Sequence, residues 1–210
     1  MFSWLLGLCL GLPIPVSVDS VDLIIRWEIT SPAVYRARFQ RPIWPGLTSG
    51  VTIGIGSDLG HQQVSVIRQV WRAHPQLEAL LPAAGVIGEA ARILSRQMQH
   101  VVTQWPLAQD VFIEVDLVRF WRIAVRVFGR DDFLALSATA QGALTSVVFN
   151  RGGSMAGPTR AEMRFIRDVC IPDGDEECIA EQIESMTRLW NVRGLILRRQ
   201  DEAALIRRRL

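Results

Sequence analysis

Glu28 is the residue whose type and position most directly indicate acid–base chemistry. Acidic and hydroxyl residues from Asp19 onward precede an apolar run, which predicts a helix start. Pro32 predicts the end of that helix, because the residue before a proline disfavours helical backbone. Glu28 would then lie in the last helical turn, where the helix dipole and apolar neighbours favour the protonated carboxyl that a general acid needs. The alternative is a solvated glutamate at a helix end.

A glycine-rich run from Gly50 to Gly60 predicts a strand at the floor of a cleft. The apolar positions are Val51, Ile53 and Ile55, and the alternate positions are Thr52, Gly54 and Gly56. Because successive side chains of a strand point to opposite faces, one face would be apolar and the other nearly bare. Glycine inside a strand often marks a close approach of a ligand to the backbone. The alternative is a hairpin without chemistry.

The order of these residues resembles the phage-type lysozymes of glycoside hydrolase family 24. Those proteins place a catalytic glutamate at a helix end, as Glu28 is placed, and a tyrosine seven residues later, as Tyr35 is. Their catalytic threonine lies in a Thr-Ile-Gly-x-Gly strand, which matches residues 52–56. Residues 143–152 are similar to the helix that lines their sugar cleft, and residues 194–202 to their C-terminal Gly-Leu-x-x-Arg-Arg-x-x-Glu signature.

One departure points to a particular branch of that family. Phage lysozymes usually have a catalytic aspartate two residues after the tyrosine, where this chain has Ala37. The Pro-Ile-Trp-Pro-Gly loop at residues 42–46 and the position of Asp58, six residues after Thr52, resemble the pesticin-like muramidase branch. The resemblance implies that Glu28 is the acid, Asp58 the second carboxylate and Thr52 the hydroxyl that positions water.

The resemblance also implies a set of substrate contacts. They are Tyr35, Gly54, Gly56 and Asn150. Asn150 is expected near a helix end, where its amide would bind sugar hydroxyls or cap the helix. Trp44, between two prolines, is expected to be a rigid loop plug or a sugar-stacking ring.

The roles of Thr52 and Asp58 impose a condition on the backbone. Six extended residues would separate them by ~20 Å, at ~3.3 Å per residue, which is too far to serve one sugar ring. The chain must therefore turn back near Gly56 and Ser57, and glycine permits such a turn because it tolerates positive φ.

The activity implied is that of a muramidase, which hydrolyses the β-1,4 bond between N-acetylmuramic acid and N-acetylglucosamine. The fold implied is α+β and lysozyme-like, with a small lobe that contains the glycine-rich hairpin and a larger helical lobe. A lytic transglycosylase would need the glutamate but no water-activating aspartate. A non-catalytic cell-wall-binding relative would keep the fold without turnover.

Composition fits an ordinary globular protein. Of 210 residues, 49% are hydrophobic and 21% charged, which suits one domain at residues 19–210 with a sizeable core. The net charge is +2, and the arginines are mostly interleaved with acids, so no nucleic-acid partner is expected. No cofactor is expected, and no Cys/His spacing suits a metal. We expect a monomer whose partner is the peptidoglycan glycan strand.

The N-terminal segment and two of the cysteines indicate where in the cell the protein is located. Residues 1–18 are expected to form an apolar leader or arm, and residues 2–12 are too short to span a bilayer. They would be an export signal, a weak membrane tether or an arm packed on the domain. Cys170 and Cys178 flank a turn-rich loop and would pair in an oxidising compartment. The expected location is periplasmic or extracellular.

After His61, apolar residues recur at three- and four-residue spacing, which predicts a succession of helices. They are expected near residues 64–71, 86–100, 117–128, 137–151, 160–169 and 179–190. For residues 111–128, the alternatives are one long helix or a short strand followed by a helix. Arg198 and Arg199 would hold a carboxylate of the first helix, or at least one of them would form a surface pair.

Overall fold

The computed structural model of the protein describes residues 13–208. Within them the chain is mostly helical and has one small two-stranded antiparallel sheet, so the α+β class is confirmed in its general form. The predictions for the apolar segment 2–12, including Cys9, and for Arg209 and Leu210 fall outside the described residues. No helix between residues 13 and 208 combines the length and apolar character needed to cross a membrane.

The chain divides into two compact units. The hairpin unit is Glu28–Val115, and the helical unit combines the chain up to Trp27 with the chain from Asp116 onward. The hairpin unit therefore extends well beyond the glycine-rich run, which ends at Gly60. The first helix, α1, spans Val18–Ile29.

The hairpin unit contains five further helices and both strands. They are α2 (Pro32–Arg38), β1 (Thr52–Ile53), β2 (Ser57–Asp58), α3 (Val64–Val70), α4 (Leu77–Leu80), α5 (Gly88–Gln97) and α6 (Trp105–Val111). Short 3-10 turns follow β2 at Leu59–His61 and α4 at Leu81–Ala83. Its core surrounds Trp71, which is fully buried among aliphatic residues from the hairpin and the helices.

Helix α2 was absent from the sequence prediction. Ser31 accepts a hydrogen bond from the Val34 amide, and Pro32 occupies the first helical turn. Proline lacks an amide hydrogen, which costs nothing at that position, and its fixed φ suits the helix. Ser31-Pro32 therefore ends one helix and starts the next.

The helical unit is built from α7 onward together with most of α1. The helices are α7 (Val118–Phe128), α8 (Arg130–Ala135), α9 (Ala138–Arg151), α10 (Ala161–Phe165), α11 (Glu176–Ser185) and α12 (Arg193–Arg207). A π-helical segment at Phe112–Leu117 joins α6 to α7, and another at Ile166–Cys170 follows α10. The predicted helix at residues 117–128 is thus confirmed, and the strand alternative for residues 111–128 is wrong.

Helix α9 is the central helix of the helical unit. It corresponds to the helix predicted near residues 137–151; Ser137 caps it by accepting from the Ala140 amide, and Gly152 ends it. Gly142 on α9 faces Ser20 on α1 so closely that a Cβ at Gly142 would lie 2.1 Å from Ser20 Oγ. Glycine at residue 142 is therefore required by packing, because any side chain would force the two helices apart.

Helix α12 is fixed to α9 by a buried ionic cluster. Glu202 Oε1 accepts from Ser146 Oγ at 2.5 Å and from Arg199 Nη2 at 2.9 Å. Arg198 donates to the same carboxylate and to Ser146 Oγ. Burial raises the pKa of Glu202, and the two guanidinium groups oppose that rise. Both arginines are buried, so the expectation of a surface pair is wrong. That they hold a carboxylate of the first helix remains a prediction.

Hydrogen bonds to Asp201 and one disulfide also link elements of the helical unit. Asp201 Oδ2 accepts from Trp27 Nε1 at 3.2 Å and from Arg26 at 3.3 Å, which ties α1 to α12. Cys170 and Cys178 form a disulfide, as predicted, with Cα atoms 5.5 Å apart.

Thr103 is the centre of a buried polar network in the hairpin unit. His74 Nδ1 accepts from the Gln76 amide at 3.0 Å, and Nε2 lies 3.1 Å from Thr103 Oγ1. Because Nδ1 is an acceptor, the ring is neutral and donates through Nε2. Burial lowers the pKa of His74.

Substitution of Gly142 by alanine is expected to lower the free energy of unfolding by about 1–3 kcal/mol, because the new Cβ overpacks the contact with Ser20. Gly194→Ala is the matched control. Gly194 is also helical and has open space around its Cβ position, so alanine should be neutral or raise stability by up to about 1 kcal/mol. Urea denaturation measures both, and equal effects would contradict the packing argument.

Stability should fall as His74 becomes protonated. The folded-state pKa lies below the ordinary 6.5, so the unfolded chain binds the proton first, and the free energy of unfolding decreases as pH drops through 6.5. One proton gives a slope of at most about 1.4 kcal/mol per pH unit. His74→Asn should remove this pH dependence of the free energy of unfolding, measured by urea titrations between pH 5 and 7.5. His100→Asn, at an exposed histidine, should retain it.

Candidate functional site

A pocket of about 160 Å³ lies in the hairpin unit. It is lined by Glu28, Ile29, Phe39, Ile43, Pro45, Thr52, Gly54, Ile55 and Gly56. Four of the seven predicted site residues, Glu28, Thr52, Gly54 and Gly56, therefore come together at one pocket. The lining has one carboxyl group and one hydroxyl group among mostly apolar side chains.

The hairpin that forms one wall turns back as predicted. Thr52 pairs directly with Asp58, and Ile53 with Ser57, across the two antiparallel strands. The reversal occurs through Gly54 and Gly56, whose φ angles are +60° and +81°. The paired segment is shorter than the predicted strand, because the glycines form the turn instead of continuing the strand. A Cβ at Gly54 would lie 2.7 Å from the Trp71 ring, so packing also requires glycine there.

Glu28 occupies the last turn of α1, as predicted, and lines the pocket. The residue is exposed, as in the alternative of a glutamate at a helix end that solvent reaches. Ile29, the next residue, is buried and lines the same pocket, and Thr30 then ends the helix. The carboxyl therefore lies at the boundary between an apolar wall and solvent.

Thr52 is the buried polar residue of the pocket. It is 6% exposed, and its Oγ1 lies 3.5 Å from the carbonyl oxygen of Gly50. The backbone of Thr52 exchanges both hydrogen bonds with Ile43, at 2.8 and 2.9 Å. The backbone of Thr52 is thus held on both sides, by Ile43 and by Asp58, while its hydroxyl has a long and weak contact. Such a hydroxyl is available to a ligand or to water.

Asp58 braces the hairpin rather than lining the pocket. Oδ1 accepts from the Gly60 amide at 2.9 Å, and Oδ2 accepts from the Gly50 amide at 2.9 Å. Oδ1 also lies 3.1 Å from the Gly50 amide, and His61 Nε2 lies 3.8 Å from Oδ2. Both carboxylate oxygens are therefore occupied by backbone donors.

Glycine is required on both sides of this carboxylate. A Cβ at Gly50 would lie 2.3 Å from Asp58 Oδ1 and 2.4 Å from the Cα of Gly60. A Cβ at Gly60 would lie 2.3 Å from the carbonyl oxygen of Val86. The first and last glycines of the predicted run thus have a structural role in holding Asp58.

Tyr35 belongs to the core, which corrects its prediction as a substrate contact. The side chain is fully buried, and its hydroxyl donates to the carbonyl oxygen of Thr103 at 2.9 Å. Its ring meets Trp105 edge-on, with centroids 5.2 Å apart. Burial raises the pKa of Tyr35, which keeps the hydroxyl protonated. The hydrogen bond and the ring contact fix α2 against α6.

Asn150 lies at the C-terminal end of α9, as predicted, in the helical unit. It is exposed, and Oδ1 lies 3.4 Å from Nη2 of the buried Arg199. Its predicted role in binding substrate remains a prediction.

Two strained backbone positions flank the pocket residues. Among residues 13–208, the non-glycine residues with positive φ are Thr30, at +65°, and Leu47, at +51°. Thr30 follows Ile29, and Leu47 lies two residues after Pro45, and both Ile29 and Pro45 line the pocket. A left-handed conformation costs a β-branched or bulky residue about 1–3 kcal/mol, and such strain is concentrated at functional sites.

The apolar part of the pocket was not predicted. Phe39, Ile43 and Pro45 come from the end of α2 and from the loop that follows it. In the sequence, the proline-rich loop at residues 42–46 was the one signal for this lining, and its pattern indicated Trp44 instead of Ile43 and Pro45. Trp44 Nε1 donates to the Ser49 carbonyl at 3.1 Å and the ring packs on the core, in agreement with a rigid loop plug.

Within residues 13–208, no three His, Cys, Asp or Glu side chains are grouped in a way that could hold a metal ion. The polar side chains of the pocket are a carboxyl group, at Glu28, which can donate or accept a proton, and a hydroxyl group, at Thr52. No protein-family profile matches the chain, and comparison with curated protein sequences found no significant match.

Proposed function

We propose that this protein is a muramidase with a lysozyme-like fold, which hydrolyses the β-1,4 bond between N-acetylmuramic acid and N-acetylglucosamine in peptidoglycan. The observation that carries the proposal is that Glu28 and Thr52, distant in sequence, line one pocket with Gly54 and Gly56. A proton donor, a hydroxyl and a bare backbone in one small pocket are the groups that glycosidic bond cleavage requires.

Glu28 protonates the glycosidic oxygen as the bond from that oxygen to the anomeric carbon breaks. Ile29 and Phe39 are apolar and line the same pocket, so a sugar that fills the pocket excludes water from the lining that Glu28 belongs to. A water molecule then attacks the anomeric carbon and gives its proton to a carboxylate, either Asp58 or the Glu28 carboxylate left after the first proton transfer. Thr52 Oγ1 orients that water.

Asp58 has two candidate roles in this reaction. The family resemblance makes it the carboxylate that helps to position water. Its bonds to the Gly50 and Gly60 amides support a positioning role instead, in which Asp58 holds the strand that carries Thr52. In that case Asp58 acts through Thr52 and not on the substrate.

The second candidate activity is that of a lytic transglycosylase. The specific observation in its favour is that Asp58 does not line the pocket, so Glu28 is the single carboxyl there. A transglycosylase needs the glutamate but no water-activating aspartate, because a hydroxyl of the same sugar attacks the anomeric carbon. Products with reducing ends indicate hydrolysis, and anhydro-sugar products indicate transglycosylation.

The Cys170–Cys178 disulfide supports a periplasmic or extracellular location for this activity. Structural disulfides persist in oxidising compartments and are rare in the cytoplasm. Peptidoglycan lies in the same compartment, and we propose that the protein acts there as a monomer.

Glu28→Gln should lower the rate of peptidoglycan cleavage by about 100- to 10,000-fold, because glutamine cannot donate a proton to the leaving oxygen. Glutamine keeps the size of the side chain and an oxygen that accepts hydrogen bonds, so the variant should fold, and its melting temperature is measured alongside its activity. Glu181→Gln, at another exposed glutamate, is the control and should retain full activity. Mass spectrometry of muropeptides measures turnover and identifies the products.

Undiminished cleavage by a folded Glu28→Gln protein would refute the assignment of Glu28 as the acid. No cleavage by the wild type would favour a non-catalytic wall-binding protein.

Asp58→Asn and Asp58→Ala separate the two roles of Asp58. Asparagine keeps one oxygen, which in the position of Oδ1 can accept from both the Gly50 and the Gly60 amides, and it loses only the Oδ2 contact with the Gly50 amide. Alanine leaves both amides unpaired and should cost about 1–3 kcal/mol of stability. If Asp58 only braces the hairpin, Asp58→Asn should retain most of the activity, and Asp58→Ala should lose activity together with stability. Loss of activity in a stable Asp58→Asn protein would instead assign Asp58 to water.

A further inference from the structure

Leu47 is an unusually exposed apolar residue beside the candidate site. It is 90% exposed, more than any other large hydrophobic residue of the described chain. It follows Pro45 and Gly46 at the tip of the loop that connects α2 to β1. Isolated exposed leucines are common and need no explanation by themselves. Leu47 differs because of its backbone and its position.

The backbone at Leu47 is left-handed, with φ of +51°. Glycine or asparagine would adopt this conformation more easily than leucine. The side chain gains no burial that would compensate for the strain, since it packs on almost nothing. A strained backbone that displays an apolar side chain to solvent has no explanation in the stability of the fold, and strain of this kind indicates function.

The loop is held rigidly in this conformation. The Ser49 carbonyl oxygen accepts from Trp44 Nε1 at 3.1 Å and from the Gly88 amide at 2.9 Å. The Ser49 amide donates to the Gly46 carbonyl at 3.0 Å and closes the turn around Leu47. Leu47 is therefore presented in a fixed position, which reduces the entropy lost when a ligand binds.

The loop is continuous with the pocket wall. Pro45 lines the pocket, and Leu47 follows two residues later. Ile87 is 43% exposed, and it pairs with Gly50 in an isolated β-bridge beside the same loop. Two exposed apolar side chains are thus present here: Leu47 in the loop that contributes Pro45 to the pocket, and Ile87 in the segment paired with the end of that loop.

We propose that Leu47 is a specificity-determining residue that contacts the sugar adjacent to the one in the pocket. This inference rests on the proposed function. A pocket of about 160 Å³ is below the ~300–1,000 Å³ of pockets for drug-sized ligands, so it accommodates one ring-sized group and the rest of a polymer must lie outside it. The C–H face of a pyranose ring and the methyl of an acetamido group are apolar, and a fixed leucine is complementary to both.

The test measures binding in the Glu28→Gln background, where substrate is not consumed. Leu47→Asn should weaken the affinity for soluble, peptide-free glycan strands about five-fold, from the loss of part of the apolar contact. Leu47→Met keeps an apolar side chain and should bind within two-fold of the parent. Val192→Asn, at an exposed valine of the helical unit, is the control and should not change affinity. Isothermal titration calorimetry gives the dissociation constants.

The outcomes separate this inference from the proposed function. Asparagine tolerates the left-handed backbone, so Leu47→Asn should fold and melt at or above the temperature of the parent. If the parent binds glycan strands and Leu47→Asn binds them equally well, the role of Leu47 is refuted and the proposed function stands. If the parent binds no glycan, both the role of Leu47 and the proposed function are refuted. If Leu47→Asn instead loses binding to phosphatidylglycerol vesicles while it keeps glycan affinity, the residue serves a lipid surface and the proposal is overturned.

Discussion

The Asp58 carboxylate and the two backbone amides that it binds form the constraint on which the candidate site depends. The amides belong to Gly50 and Gly60, which lie on either side of the hairpin, and a side chain at either position would collide with its surroundings. A charged acceptor for two otherwise unpaired amides is a strong interaction, because hydrogen bonds to charged groups contribute about 1.5–3 kcal/mol. It fixes the pairing of Thr52 with Asp58, and this pairing brings the Thr52 hydroxyl and the bare turn to the pocket.

Contacts in the core of the hairpin unit stabilise the elements around that arrangement. Tyr35 and His74 both bind Thr103, one through its carbonyl oxygen and the other through its hydroxyl, so the chain around residue 103 is held from two directions. Trp71 packs against Gly54 and excludes any larger residue from the turn. The hydrogen bonds of Tyr35 and His74 with Thr103 are buried, in contrast to the strained backbone at Thr30 and Leu47. The unit thus has its backbone strain next to the pocket residues and these buried hydrogen bonds in its core.

Local signals in the sequence predicted the parts of the fold that local chemistry determines. The helix predicted near residues 137–151 corresponds to α9, whose ends are set by the Ser137 cap and by Gly152, and the need to bring Thr52 near Asp58 predicted the reversal at the glycines. Ser31-Pro32 was misinterpreted because the same dipeptide ends one helix and starts another. The burial of Tyr35 and the partners of Asp58 depend on contacts with residues far away in sequence, such as Thr103, so no local pattern could predict them. For the same reason the apolar lining of the pocket, from Phe39 and Ile43, was not foreseen.

The position of Glu28 has a consequence for how a general acid would work at this pocket. The residue is exposed, while Ile29 and Phe39 of the same lining are apolar. A ring-sized group that fills the pocket would displace water from this lining and bring the glycosidic oxygen to the acid. Under the proposed function, the substrate itself therefore completes the surroundings of Glu28. This differs from a permanently buried glutamate, from which the fold alone excludes water, and it makes a well-filled pocket a condition of proton transfer and not only of binding.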